Sequence, residues 1–268
     1  MFGIPAETAY DLNFRLLGIP VRVSPWFWVI AAVLGWRGGD PLGVLVWVGC
    51  VFVSILVHEF GHGLTARALI HQRPSIVLHG MGGLCFYDRE HNSPWGRVAV
   101  LAMGPGAGFL FAALVGLVGF LTLGIYPTFS WSEWLGFDFR SMEGLLWLNS
   151  HRYAGLVYLD LIQINIMWGV FNLLPIFPLD GGQLAASFLS MHDRYEGQRR
   201  AYIVSFVTAS LIALYLFLKG YQDRFDGGSQ YNALFIAYLA LINFQLLQAA
   251  THQRRYGDAP DDDNWWRR

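Results

Sequence analysis

Apolar positions in this chain come in long unbroken runs, not in the alternating or one-faced patterns of a soluble domain. Charge-free stretches cover about 24–36, 41 to beyond 57, 98–125, 161–179, 201–218 and 229–251. A helix needs roughly 20 apolar residues to cross the hydrocarbon core of a bilayer. The second run continues through the polar residues at 58–62 to about 69, because its helical apolar pattern does not stop at His58. The first run, at about 13 residues, is short for an upright span and fits a tilted or partly interfacial segment. The pattern predicts an all-α polytopic membrane protein with about six transmembrane helices, counting that first segment.

Two polar interruptions stand out. His58-Glu59-Phe60-Gly61-His62 lies inside the second run. Histidines four apart share one face of a helix, so both imidazoles can ligate one zinc ion with Glu59 beside them as base. The plain alternative is a pair of interior histidines hydrogen-bonded to neighbouring helices, but lipid offers no water to solvate unused polar groups. The second interruption is Asn172-Leu173-Leu174-Pro175-Ile176-Phe177-Pro178-Leu179-Asp180-Gly181-Gly182. Its prolines break a helix, and irregular backbone at membrane depth survives only where protein or a water-filled cavity satisfies it. Asp180 can supply a third metal ligand; the alternative is an ordinary helix end at the membrane surface, capped by Asp and Gly. Ionisable groups within a membrane point to function by default.

Together the two motifs resemble those of the site-2 protease family of intramembrane zinc metalloproteases, H-E-x-x-H and N-x-x-P-x-x-P-x-D-G. The resemblance implies one catalytic zinc ion held by His58, His62 and Asp180, Glu59 as catalytic base, and Asn172 beside the substrate carbonyl or oxyanion. It also reads the N-terminal F-R-L-L-G-I-P-V-R-V-S as strands preceding the membrane, and G-M-G-G at 80–83 as part of a β-rich membrane loop. G-P-G-A-G at 104–108 would be a helix start. The implied activity is hydrolysis of peptide bonds within or near transmembrane segments of membrane-tethered proteins. The chain resembles a compact form of the family, because no loop or tail has room for a PDZ or CBS module.

Composition agrees with a membrane protein: 54% of the 268 residues are hydrophobic and 14% charged, and the mean hydropathy is +0.39. A formal net charge of −1 gives no sign of nucleic-acid binding. Cys50 and Cys85 are too few for a disulfide framework. The N-terminus lacks the basic and apolar regions of a cleavable signal. With that terminus inside, twelve arginines fall on the inner side, among them Arg15, Arg22, Arg73, Arg89 and Arg97. Five basic residues fall outside: Arg37, Arg140, Arg152, Lys219 and Arg224. The bias predicts both termini in the cytosol, in a multi-pass protein of the bacterial cytoplasmic membrane. Both the histidine pair and Asp180, taken as the end of the fourth helix, then fall in the inner half.

Residues 72–91 read as a hairpin on the inner face, whose open edge, including Val77 and Leu84, can pair with an extended substrate. The alternative is a connector with a covered edge. The tryptophans and phenylalanines of 126–153 read as an interfacial aromatic belt. The other histidines fall in loops or tails and are not expected to be ligands; His79 is the one the hairpin can bring near the site. Gly104 and Gly108 read as a helix-packing pair. Residues 1–251 read as one domain and 252–268 as a mobile tail. The rival functions are a transporter using the same buried ionisable groups and a zinc-containing membrane binding protein that does not cleave. The absence of a detectable inverted repeat counts against the first, and intact Glu59 against the second.

Overall fold

The computed structural model describes residues 6–36, 38–87, 94–128, 136–139, 142–191, 193–222 and 227–257. Arg37, Arg89, His91, Trp131, Trp134, Arg140, His192, Arg224 and the tail beyond 257 lie outside these residues. The chain divides into two compact units, Met1–Phe171 and Asn172–Arg268.

In the first unit two N-terminal strands, β1 (Leu12–Leu16) and β2 (Ile19–Val23), form a hairpin. Helix α1 (Pro25–Leu34) follows, then the 30-residue α2 (Pro41–Ile70). Strands β3 (Ser75–His79) and β4 (Gly82–Phe86) come next, then α3 (Pro94–Leu123). A second hairpin, β5 (Ile125–Thr128) and β6 (Gly136–Phe139), precedes α4 (Met142–Ser150) and α5 (Arg152–Asn172). The second unit holds α6 (Asp180–Leu189), α7 (Arg194–Gln222) and α8 (Gly227–Gly257).

Among the described residues five helical segments are long and apolar enough to cross a membrane: Pro41–Ile70, Pro94–Leu123, Arg152–Asn172, Glu196–Tyr221 and Gln230–Thr251. The protein is therefore a multi-pass membrane protein. The first expected segment, 24–36, does form a helix, α1, but one shorter than these five. Helix α1 has ten residues, so at 1.5 Å per residue it reaches about half of the hydrocarbon thickness. The expected fourth span, 161–179, is displaced. Helix α5 begins nine residues earlier, at Arg152, and stops at Asn172, ahead of Pro175 and Pro178. Asp180 thus opens α6 and does not close the preceding helix.

Both predicted β segments form, and they join. The parallel pairing Val21↔Ile76, Arg22↔Val77 and Val23↔Leu78 links the hairpins into one sheet of order β1-β2-β3-β4. Alternation decides which face is buried: Ile19, Val21 and Val23 of β2 meet Ile76 and Leu78 of β3, and pack with Phe27 of α1 and Ile55, Leu56 and Phe60 of α2. The sheet is thereby fastened to the helix that carries the two histidines. Val77 sits on β3, between β2 and β4, while its cross-strand partner Leu84 sits on β4 at the edge. Of the two residues expected on an open edge, only Leu84 is there.

The G-P-G-A-G segment is no helix start. Pro105 lies inside α3, which runs through it; spanning helices tolerate such a residue where neighbours resatisfy the freed backbone. The loop after α3 holds the β5–β6 hairpin and α4 in addition to its aromatics, and α8 continues to Gly257, past the expected start of the tail.

Candidate metal centre

Helix α2 positions the first three functional side chains. His58, Glu59 and His62 are all buried, at spacings of one and four residues. The Nε2 atoms of the two imidazoles face each other 3.2 Å apart. His62 is held at its other nitrogen, where Nδ1 lies 2.7 Å from the carbonyl oxygen of Val100 on α3. A carbonyl only accepts, so Nδ1 carries the proton and Nε2 is the unprotonated nitrogen, the tautomer a metal ligand requires.

The separation of the two Nε2 atoms fits zinc. With Zn–N distances of about 2.0–2.1 Å, two nitrogens 3.2 Å apart subtend about 100–106° at the ion, close to the tetrahedral angle. His58 and His62 of the first unit and Asp180 of the second are each buried, and each offers one atom that could ligate a metal. Two imidazoles and a carboxylate are a zinc donor set of the catalytic kind, which leaves the fourth position open.

Glycines bring neighbouring elements onto this helix. A Cβ at Gly104 would collide with the His62 imidazole, and one at Gly61 with the Met103 carbonyl and Ala107. The Gly104–Gly108 pair is therefore a packing feature, as expected, but Gly104 packs directly on the ring of a candidate metal ligand. On another side, β4 passes over Glu59: a Cβ at Gly83 would meet its carboxylate, and one at Gly82 the Trp168 indole. The G-M-G-G segment leaves the room that these contacts need. His79 closes the β3–β4 turn by accepting from the Met81 N–H at 3.2 Å, and burial holds its pKa below the usual histidine value. It serves the hairpin turn.

A polar pair escaped the sequence reading. Asn165 of α5 donates from Nδ2 to Ser54 Oγ of α2 at 2.8 Å, one helical turn before His58. Both residues are buried. The signal was available, since each interrupts an otherwise apolar run.

In the second unit the Pro-containing segment is irregular and is held by side chains of α6, α7 and α8. The Phe177 N–H donates to Ser205 Oγ of α7 at 3.1 Å, and Asn243 of α8 donates to the Phe177 carbonyl at 2.6 Å. Gln183 donates to the Pro178 carbonyl at 2.9 Å. An unsatisfied backbone group in a bilayer costs several kcal/mol, so these side chains are what permits the break. Asp180 follows as a buried first residue of α6. Cβ atoms at Gly181 and Gly182 would overlap the backbone of Leu173 and Leu174 and of Ile176 and Phe177 respectively, which accounts for Asp-Gly-Gly. Asn172 is buried at the C-terminal end of α5. Ser205 and Asn243 carry no motif signal, because which loop they satisfy depends on the fold.

A multi-pass membrane protein with a buried histidine pair on one span and a helix break that leads to a buried aspartate is thus defined. The model of peptidase family M50 matches residues 46–216, more than half of the chain. The chain belongs to that family, the site-2 proteases. A Synechocystis protein that carries a provisional zinc-metalloprotease name is 33% identical over 65% of this chain and 42% of its own length. Zinc metalloprotease MJ0392 of Methanocaldococcus jannaschii is 28% identical over 68% of this chain and 46% of its own. The chain spans somewhat under half the length of these relatives. The solved site-2 protease from Methanocaldococcus jannaschii superposes with a TM-score of 0.55, covering 87% of this chain and 95% of that one at 21% identity; at that identity the likeness speaks for the fold.

Proposed function

We propose that this chain is a zinc-dependent intramembrane endopeptidase that cuts membrane-tethered proteins within or near their transmembrane segments. The observation that carries the reading is the pair of Nε2 atoms 3.2 Å apart on a membrane-spanning helix, with buried Glu59 beside them. His58, His62 and Asp180 hold the ion. Zinc, when bound, acidifies a water and polarises the scissile carbonyl.

Glu59 neighbours His58 in sequence but points about 100° away from it around the helix. That direction suits a base that takes a proton from water and returns it to the leaving amine. Asn172 holds the substrate carbonyl or donates to the oxyanion. The β4 edge, including Leu84, pairs with an extended stretch of substrate. Gly83 contributes by letting that edge lie against the Glu59 carboxylate. A helical substrate hides its carbonyls in i to i−4 bonds, so it unwinds locally first, more readily where it carries Gly or Pro. The protein resides in the bacterial cytoplasmic membrane with both termini in the cytosol.

The test separates base from ligands. Glu59→Gln is expected to keep zinc content near wild type and lose at least about a hundredfold in cleavage of a model transmembrane peptide. His58→Ala, His62→Ala and Asp180→Asn are expected to lose metal and cleavage together. Cleavage undiminished in Glu59→Gln refutes the mechanism.

A further inference from the structure

Where α2 ends, four basic side chains from separate segments surround one concavity that the chemistry above does not use. The concavity measures about 670 Å³. Arg15 of β1, Arg67 of the last turns of α2, and His71 and Arg73 of the link to β3 line it. No carboxylate is among its described lining residues.

The arrangement is built. Arg67 donates from Nη1 to the Leu17 carbonyl at 2.5 Å, which ties the guanidinium to the β1–β2 turn. That turn passes through left-handed backbone at Leu17 and Gly18, φ 50° and 78°. His71 caps α2 at φ 53°, and the Gln72 N–H returns to the Ala66 carbonyl at 3.2 Å. The chain therefore turns sharply at the helix end and brings Arg73 round to the same hollow. The C-terminal end of α2 contributes about half a negative charge, which three guanidinium groups outweigh. A cleft lined by one sign of charge focuses its potential on a counter-ion, and guanidinium forks match phosphate oxygens.

The surroundings say which phosphate. Leu17 and Leu69, 62% and 59% exposed, flank the arginines. Arg67, exposed, is the first arginine or lysine reached along the apolar α2 span. Bare leucines beside arginines suit a lipid–water interface, where acyl chains and headgroups solvate both.

We propose that this concavity binds the phosphate of an anionic phospholipid headgroup, with Arg15, Arg67 and Arg73 as its donors. Such a lipid would brace the end of the helix that carries His58, Glu59 and His62.

The experiment uses the full chain in nonionic detergent, titrated with phosphatidylglycerol or with phosphatidylcholine of the same acyl chains. Retained lipid is read by native mass spectrometry and Tm by thermal unfolding. Wild type is expected to retain phosphatidylglycerol in preference and to gain Tm with it. Arg15→Gln with Arg73→Gln, which leaves the Arg67–Leu17 bond in place, is expected to weaken that binding about twentyfold. The matched lysine pair is expected to recover most of the preference, which separates lost charge from a damaged fold. Inorganic phosphate alone is expected to give a smaller Tm shift. Equal retention of the two lipids by wild type, or an undiminished preference in the double Gln variant, overturns the site. A full Tm shift from inorganic phosphate without lipid overturns the lipid as its occupant.

Discussion

Gly104 sets how closely α3 can approach the helix that carries the histidine pair, because the space a side chain would take is filled by the His62 ring. Gly104→Ala forces the imidazole or the helix to move. Overpacking of this kind costs about 1–3 kcal/mol, and here it also tilts the ring away from its bond to the Val100 carbonyl. The expected outcome is a lower Tm and weaker zinc retention under chelator challenge, whereas Gly106→Ala, with only the Met103 sulfur near it at 3.6 Å, changes neither. Zinc retention equal to wild type in Gly104→Ala would show that the ring has slack. The histidines themselves were legible from their spacing, since a four-residue interval on a helix fixes a shared face whatever surrounds it. What Gly104 packs against was not legible, because a G-x-x-x-G pair announces close approach without naming the partner.

At the scale of elements, the sequence spoke clearly where one segment decides its own structure. Of the six expected spans five form, that at 161–179 displaced to Arg152–Asn172, and the residues of 72–91 announced a hairpin, while the N-terminal strands were read from the family resemblance. It was silent where two distant segments decide together. The parallel Val21↔Ile76 pairing joins residues more than fifty positions apart, and it turns β3 from an edge into an inner strand. The β5–β6 hairpin was hidden beneath aromatics that also suit a membrane interface. The break after Asn172 was legible from its prolines, but not the start of α6 at Asp180, which depends on Ser205 and Asn243 holding the loop. The sheet order sets a test of edge pairing. Proline at Leu84 on β4 is expected to cut peptide cleavage severalfold while zinc content stays near wild type, because it removes a donor from the strand proposed to meet substrate. Proline at Val77 is expected to lower Tm as well, since an inner strand is paired on both sides. If proline at each position of 82–86 leaves cleavage unchanged, the edge does not hold the substrate.

Across the whole molecule the question is which side faces the cytosol. Within the first unit the two ends of α2 are distinguished by what gathers there. At its start Arg152 of α5 pairs with Asp40 at 2.7 Å, and the Tyr153 hydroxyl donates to the same carboxylate at 3.4 Å. At its end Arg67 reaches the β1–β2 turn, and the four-stranded sheet gathers there. This grouping agrees with the arginine-based sidedness, in which the segments around 40 and 152 share one face and the strands near 15 and 75 share the other. Exposed ion pairs like Arg152–Asp40 add at most about 1 kcal/mol, so the pair reports proximity more than stability. The grouping fixes relative sides only; the proposal that the sheet side faces the cytosol rests on the excess of arginine there. Single cysteines placed at 190 and 260 are then expected to resist an impermeant thiol reagent in intact cells, and one at 138 is expected to react, in a background with Cys50 and Cys85 replaced by serine. Cell lysis should make all three reactive. Labelling at 190 before lysis would place the α6 end outside and invert the orientation. It would also move the face from which water reaches Glu59 to the opposite side of the membrane.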